Sequence, residues 1–386
     1  NGTGKTAQNT VTIGDGETAL NLAFAGILHG GNSTAADGNK GNTLNVKANA
    51  TAKNIKNFEH LIFDLNDKIN TANPMLHLNG GTATTDLDWT KIKADMSHLK
   101  GDNIKSYEPL GQVLMKNANG INLTGYTGAI ERPYQAGDKF EFSMDTDTHT
   151  NNATEINIRG YQFKDHNAKY ETSDGAHPNA WAGRTAIGNK VENNTLTVNG
   201  TTGTLDTAHG GWSENNKGTT GDAENNTLVI EGGSITKAFG AEVRTKDGSA
   251  TGNKVEITGG TMDDVSGAAL TAAGATGNAS NNEVKISGGT INGVVGGALI
   301  DGGSTGNATN NTVTVEGGTV TGDLYGGFTN GSGKTTGNTI NLGNGTDALK
   351  SGTALSGTLY GGNKDAEGNT LNVKAKAEAG NIKNFE

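Results

Sequence analysis

The asparagines of an Asn-x-[Val/Leu/Ile]-x-[Val/Ile/Leu] pattern fall at Asn194, Asn226, Asn253, Asn282, Asn311, Asn338 and Asn369, spaced 32, 27, 29, 29, 27 and 31 residues apart. A loose period of this length is the signature of a repeat array, and it constrains the fold more than any other feature of the chain. In the unit "NTVTVEGGTVTGDLYGGFTNGSGKTTG" (311–337), Val313 and Val315 share one face of a short strand, while Thr312, Thr314 and Glu316 share the other. Gly317-Gly318, like Gly232-Gly233, Gly259-Gly260 and Gly288-Gly289 in sister units, then turns the chain through backbone angles that glycine adopts most cheaply. One unit cannot bury two or three apolar side chains by itself. Stacked on copies of itself at ~4.8 Å per rung it can, with Val or Ile resting on Val or Ile. The prediction is an all-β chain folded as an elongated right-handed parallel β-helix, a β-solenoid. The recurrent Asn is consistent both with a stacked amide ladder at a corner and with a plain turn residue.

A longer period overlies the short one. "GNTLNVKANATAKNIKNFE" (41–59) returns as "GNTLNVKAKAEAGNIKNFE" (368–386), differing only at Asn49/Lys376, Thr51/Glu378 and Lys53/Gly380. The stretch leading into each copy is also shared, so the chain reads as one super-repeat plus the opening of the next, a fragment of a larger array. The expected organisation is solenoid rungs over 1–59, an irregular β region over 60–189 with a possible protruding subdomain at 101–160, and regular Gly-Gly repeats over 190–386. In the irregular region the Gly-Gly units vanish, and all four prolines fall there. Alternating runs such as "HLIFDL" (60–65) and "TEINIRGYQF" (154–163) keep it β in character.

Composition bounds the role. The 386 residues include 61 Gly and only 5% aromatics, which suits a thin stacked core better than a thick globular one. A net charge of −10 with scattered basic residues argues against nucleic acid as a partner. The absence of cysteine removes disulfide and thiol chemistry. No apolar run approaches the ~18 residues of a membrane-spanning helix.

The units "NNTVTVEGGTV", "NNEVKISGGTINGVVGGAL" and "NKVEITGGTMDDVSGAAL" resemble the passenger repeats of large autotransporter adhesins, the type V secretion class of Gram-negative bacteria. The resemblance covers residues 7–59 and 188–386, and the middle by association. It implies a β-helical stalk, extracellular and on the cell surface, anchored through an outer-membrane barrel that this chain does not contain. The implied function is adhesion, aggregation or biofilm formation. The implied partner is a host or bacterial surface glycan or protein, or a second solenoid, and membrane contact would come only through the missing barrel. A lack of cysteine agrees with passage across a membrane before folding.

Chemistry-bearing clusters are sparse. Asp145, Asp147 and His149 in "MDTDTHT" would share one face of a strand and could hold a divalent metal, although a solvated polar face explains the same pattern. Asp263-Asp264 reads as a turn. Four arginines, Arg132, Arg159, Arg184 and Arg244, sit beside no recognisable carboxylate pair, so a β-helical polysaccharide lyase or hydrolase is the alternative rather than the leading reading. Tyr325, Phe328 and Tyr360 occupy the register of His209 and His29 and read as stacked rung residues. Trp181 and Trp212 fall in Gly/Asn-rich stretches that read as irregular loops, which makes them the better candidates for exposed contacts. The expectation is therefore a structural or adhesive protein with no catalytic, metal-binding or cofactor-binding residue assigned and no cofactor, or else a pure spacer or self-association module.

Overall fold

The computed structural model describes residues 4–34, 37–99, 105–131, 139–214, 220–346 and 348–386. About half of the chain is strand and 2% is helix, and the stacked parallel strands form a β-solenoid of about 12 turns. The chain divides into two compact units, one made of 1–104, 109–133 and 142–160, the other of 105–108, 134–141 and 161–386.

In the second unit each turn contributes three strands to parallel ladders. The first ladder runs through Asn167–Tyr170, Thr195–Val198, Thr227–Ile230, Lys254–Ile257, the start of Glu283–Ile291, the start of Thr312–Val320, Thr339–Leu342 and Thr370–Val373. Its register places Leu196 on Leu228, Val255, Val284, Val313, Ile340 and Leu371 in succession. The inward members of this column, up to Ile340, are fully buried. Each contributes roughly 1.5–3 kcal/mol by leaving water, and none could do so without the turn above and below. The alternate positions face out and carry Thr or ion pairs such as Lys254 with Glu283 and Lys285 with Glu316.

The Asn pattern is a buried ladder, not a set of plain turn residues. Asn194, Asn226, Asn253, Asn282, Asn311, Asn338 and Asn369 are each 0% exposed. From Asn194 to Asn338, the backbone N–H and side-chain Nδ2 of each donate to Oδ1 of the next at 2.8–3.2 Å. The second Nδ2 hydrogen goes to a backbone carbonyl one turn earlier, as from Asn282 to Ala250. His166 opens the series, its backbone N–H donating to Asn194 Oδ1 and its Nδ1–H to the Ala182 carbonyl. The residue preceding each ladder position lies in the left-handed region: Asp165, Asn193, Asn225, Gly252, Asn281, Asn310, Gly337 and Gly368 have φ between 52° and 68°. Gly, Asn and Asp are the types that tolerate this corner, which accounts for the recurring "NN" and "GN".

The first unit follows the same plan and then departs from it. Thr10–Ile13, Thr43–Val46, His60–Asn66 and Ile92–His98 form one parallel sheet. Asn21–Ala23, Asn49–Ala52, Leu76–Leu78 and the long Leu110–Thr124 stack in another. Leu110–Thr124 then pairs antiparallel with Asn152–Gln162, and Ile130–Glu131 pairs antiparallel with Phe140–Thr146. The irregular region therefore includes hairpin-type pairing as well as solenoid turns. Lys100 and Gly101, where the sequence places the onset of a protrusion, lie outside the described residues, as do Arg132 and Pro133.

The duplicated nineteen residues repeat their local contacts, although Asn49–Ala52 is a strand and residues 376–379 are not. The Gly41 N–H donates to Glu59 Oε2 and the Gly368 N–H to Glu386 Oε2. Asn57 Nδ2 reaches the Gly31 carbonyl as Asn384 Nδ2 reaches that of Gly362. Cover differs as well. Val46 and Ile55 are 0% and 3% exposed beneath later turns of their unit, whereas their counterparts Val373 and Ile382 are 61% and 54% exposed.

Candidate functional site: an outer groove along the rungs

The second ladder of the second unit bends in the middle of each strand. It comprises Asn179–Thr185, Thr204–Ser213, Ser234–Val243, Thr261–Leu270, Val295–Ile300 and the pair Leu324–Tyr325 and Phe328–Thr329. A column of glycines, Gly210, Gly240, Gly267, Gly297 and Gly326, lies against the next turn so closely that an added Cβ would meet its glycine carbonyl at 2.4–2.6 Å. Only glycine fits there. The bend lets the residue before the glycine and the one two after it point to the same outer side, as the rings of His209 and Trp212 show by stacking at 4.5 Å.

Two rows of side chains thus flank a groove that follows the stack. One row is Trp181, His209, Phe239, Ser266, Gly296, Tyr325 and Tyr360; the other is Arg184, Trp212, Glu242, Ala269, Leu299 and Phe328. Its first three rungs are filled by their own side chains. The Arg184 guanidinium sits 4.5 Å from the Tyr161 ring, 4.7 Å from Trp181 and 4.1 Å from Trp212, and pairs with Glu214 at 2.6 Å. Arg244 lies 4.8 Å from the other side of this cluster at Trp212 and bridges Glu214 and Glu242, each at 3.0 Å. His209 is fully enclosed, with Nε2 at 2.7 Å from Thr207 Oγ1. Burial, with Arg244 and Arg184 nearby, holds its imidazole well below the ordinary histidine range, although Nδ1 lies 3.6 Å from Glu242 Oε2.

At the next two rungs Ser266 and Ala269 are buried and Leu299 covers Gly296, and a hollow of about 430 Å³ lies against Leu299 and the rungs that follow. Leu299, Tyr325 and Phe328 line it with apolar surface, and Asp264, Asp301 and Asn330 supply its polar groups. Tyr325 packs edge-on to Phe328 at 5.2 Å and stacks on Tyr360 at 4.6 Å and 6°. Burial and the nearby Asp323 push the Tyr325 phenol up to about 12. The Asn330 amide and the Gly302 N–H hold the Asp301 carboxyl below the usual range. Asp264 accepts the Val294 N–H at 2.8 Å.

The stacking expected for Tyr325 and Tyr360 is present, but the tryptophans are placed differently from the sequence reading. Trp181 and Trp212 lie in strands, in register with His209 and Arg184 respectively, and are 5% and 4% exposed. Arg184 and the aromatic cluster cover them. Asp263-Asp264 sits within a strand rather than a turn. Of Asp145, Asp147 and His149, the structure brings only two together: His149, at φ 55°, pairs with Asp145, which also accepts from Tyr126, while Asp147 accepts from Thr154 and Glu155 instead. Among the described residues no group of three metal-ligating side chains comes together.

The fold defines a β-solenoid repeat protein. Comparisons with protein-family models, with curated proteins and with solved structures return no match in any of the three.

Proposed function

We propose that this chain is an extracellular repeat segment of a bacterial autotransporter adhesin. It would act as a rigid stalk whose outer groove supplies adhesive surface in cell adhesion, aggregation or biofilm formation. The observation that carries this reading is the open stretch of the groove, where Leu299, Tyr325 and Phe328 line a hollow on a stack locked by a buried amide ladder. A stack of this kind keeps contact residues at fixed spacing, and repeated weak contacts on one chain gain from avidity. The passenger-like repeats point to the cell surface. A surface glycan or protein is the partner class that an aromatic groove with polar walls suits.

Binding is favoured over catalysis by the groups in the hollow. The Asp301 carboxyl and Tyr325 phenol are both displaced away from neutrality, whereas a general acid or base works with a pKa near the working pH. The test is display of the chain on the surface of a non-adherent Gram-negative bacterium, with attachment to matrix-coated and glycan-coated wells and cell aggregation as readouts. Gain of attachment or aggregation over cells displaying the anchor alone is expected. Cells indistinguishable from the anchor control in both readouts would overturn the proposal.

A further inference from the structure

We infer that the hollow lined by Leu299, Tyr325 and Phe328 is a subsite for a pyranose ring of a neutral or amino-bearing glycan. The inference rests on the adhesin reading and gives it a ligand class. Three observations combine. The hollow encloses about 430 Å³, enough space for a single sugar ring. Leu299 leans over Gly296, where an added Cβ would meet its Cδ2 at 2.5 Å, and with Tyr325 and Phe328 it offers half-buried apolar surface to the C–H face of a sugar. The rim is polar and acidic: Asp264 and Asp301 keep lone pairs for hydroxyl or ammonium donors, and Asn330 adds an amide.

Charge selects among glycans. Lys237 lies in register beside Asp264 and its charge reaches Asp301, but the three carboxylates Asp264, Asp301 and Asp323 outnumber it, so the balance disfavours uronic, sialic or sulfated units and favours an uncharged or amino sugar. The first three rungs of the groove already hold the equivalent partners within the chain. There the guanidinium of Arg184 fills the space between aromatic rings and meets Glu214, which is the chemistry that a cationic sugar would complete in the open rungs.

The experiment is calorimetric and saturation-transfer titration of the whole chain with glucosamine tetramer, N-acetylglucosamine tetramer and galacturonate tetramer, with a lysine tetrapeptide as a fourth probe. The expected result is saturable binding of one or both amino-sugar oligomers and none of galacturonate. Phe328→Ala should weaken binding about tenfold through loss of one ring face. Asp301→Lys, a change at an exposed position, should weaken the glucosamine tetramer most and leave the melting temperature within a degree or two. No sugar binding, preference for galacturonate, binding of the lysine peptide alone, or sugar affinity unmoved by both variants would overturn the inference. Attachment of displaying cells is scored in parallel. If wild-type cells attach but no sugar binds, the subsite is wrong and the adhesin reading stands. If sugar binds through Phe328 while displaying cells neither attach nor aggregate, the subsite stands without the adhesin role.

Discussion

Replacing Asn282 with alanine tests the internal ladder at its middle. The side chain makes four hydrogen bonds: Nδ2 donates to Asn311 Oδ1 at 3.0 Å and to the Ala250 carbonyl at 3.1 Å, and Oδ1 accepts from the Asn253 N–H at 2.9 Å and from Asn253 Nδ2 at 3.0 Å. At about 1 kcal/mol net for each bond, the loss is about 4 kcal/mol. The Asn253 N–H would be left buried without its acceptor, so relaxation cannot recover much of it. Against a folding free energy of order 5–15 kcal/mol this is a large fraction. Because a solenoid turn touches only its neighbours, the damage should concentrate there, and hydrogen exchange of the turns around residues 250–315 should accelerate most. Asn341→Ala is the matched control. Its side chain lies in the outward row and exchanges hydrogen bonds only with Thr314 and Asn372, so a change below about 1 kcal/mol is expected. Urea unfolding followed by circular dichroism, with exchange as the local readout, measures both. An Asn282→Ala variant no less stable than Asn341→Ala would refute the ladder as the element that holds the turns together.

Three further outcomes follow from the same geometry. Asn310→Val, at φ 56°, should cost about 1–2 kcal/mol by urea unfolding, whereas Asn310→Gly should be close to neutral. His209 has a depressed folded-state pKa, so above about 6.5 neither state holds its proton and the neutral ring costs nothing. As pH falls below that value the unfolded chain takes up a proton that the folded chain refuses, and stability should decline by up to ~1.4 kcal/mol per pH unit. His166, lowered by its own burial, adds to the slope, so His209→Phe, which copies Phe239 of the next turn, should reduce the acid sensitivity between pH 6.5 and 5.5 without abolishing it. Val46→Ala should cost about 2 kcal/mol and Val373→Ala under about 0.5, although the two valines sit in the same sequence context, because only Val46 is buried.

Much of the solenoid was legible in the chain because its causes are local and repeated. The alternation of Val313 and Val315 with threonines, and the return of an Asn every 27 to 32 residues, set strand, face and period together. Whether that Asn stacks or merely turns is not decided by sequence spacing. It depends on the left-handed residue in front of it, which brings successive amides within reach, and the "NN" and "GN" pairs were the available signal. The groove was missed for a related reason. In "HGGW", "FGAE" and "SGAA" a glycine followed by a second small residue suggests a loop, yet here the glycine packs against the neighbouring turn within a strand. Trp181 in "WAGR" and Trp212 in "HGGW" lie among such small residues, which read as loops and not as strand. In the first unit, a period of two residues fits parallel and antiparallel neighbours equally. The antiparallel partnership of Leu110–Thr124 with Asn152–Gln162 could not be separated from continued stacking.

The central claim, that the outer groove is a recognition surface on a rigid stack, is tested most directly by presenting the purified chain to an array of glycans and extracellular-matrix proteins. Beside it runs the double variant Phe328→Ala, Asp301→Lys, whose fold is checked by its circular dichroism spectrum and melting temperature. Retained signal for neutral or amino glycans with the parent chain, lost with the folded double variant, is the predicted result. Equal signals from the two proteins, or none from either, would contradict it.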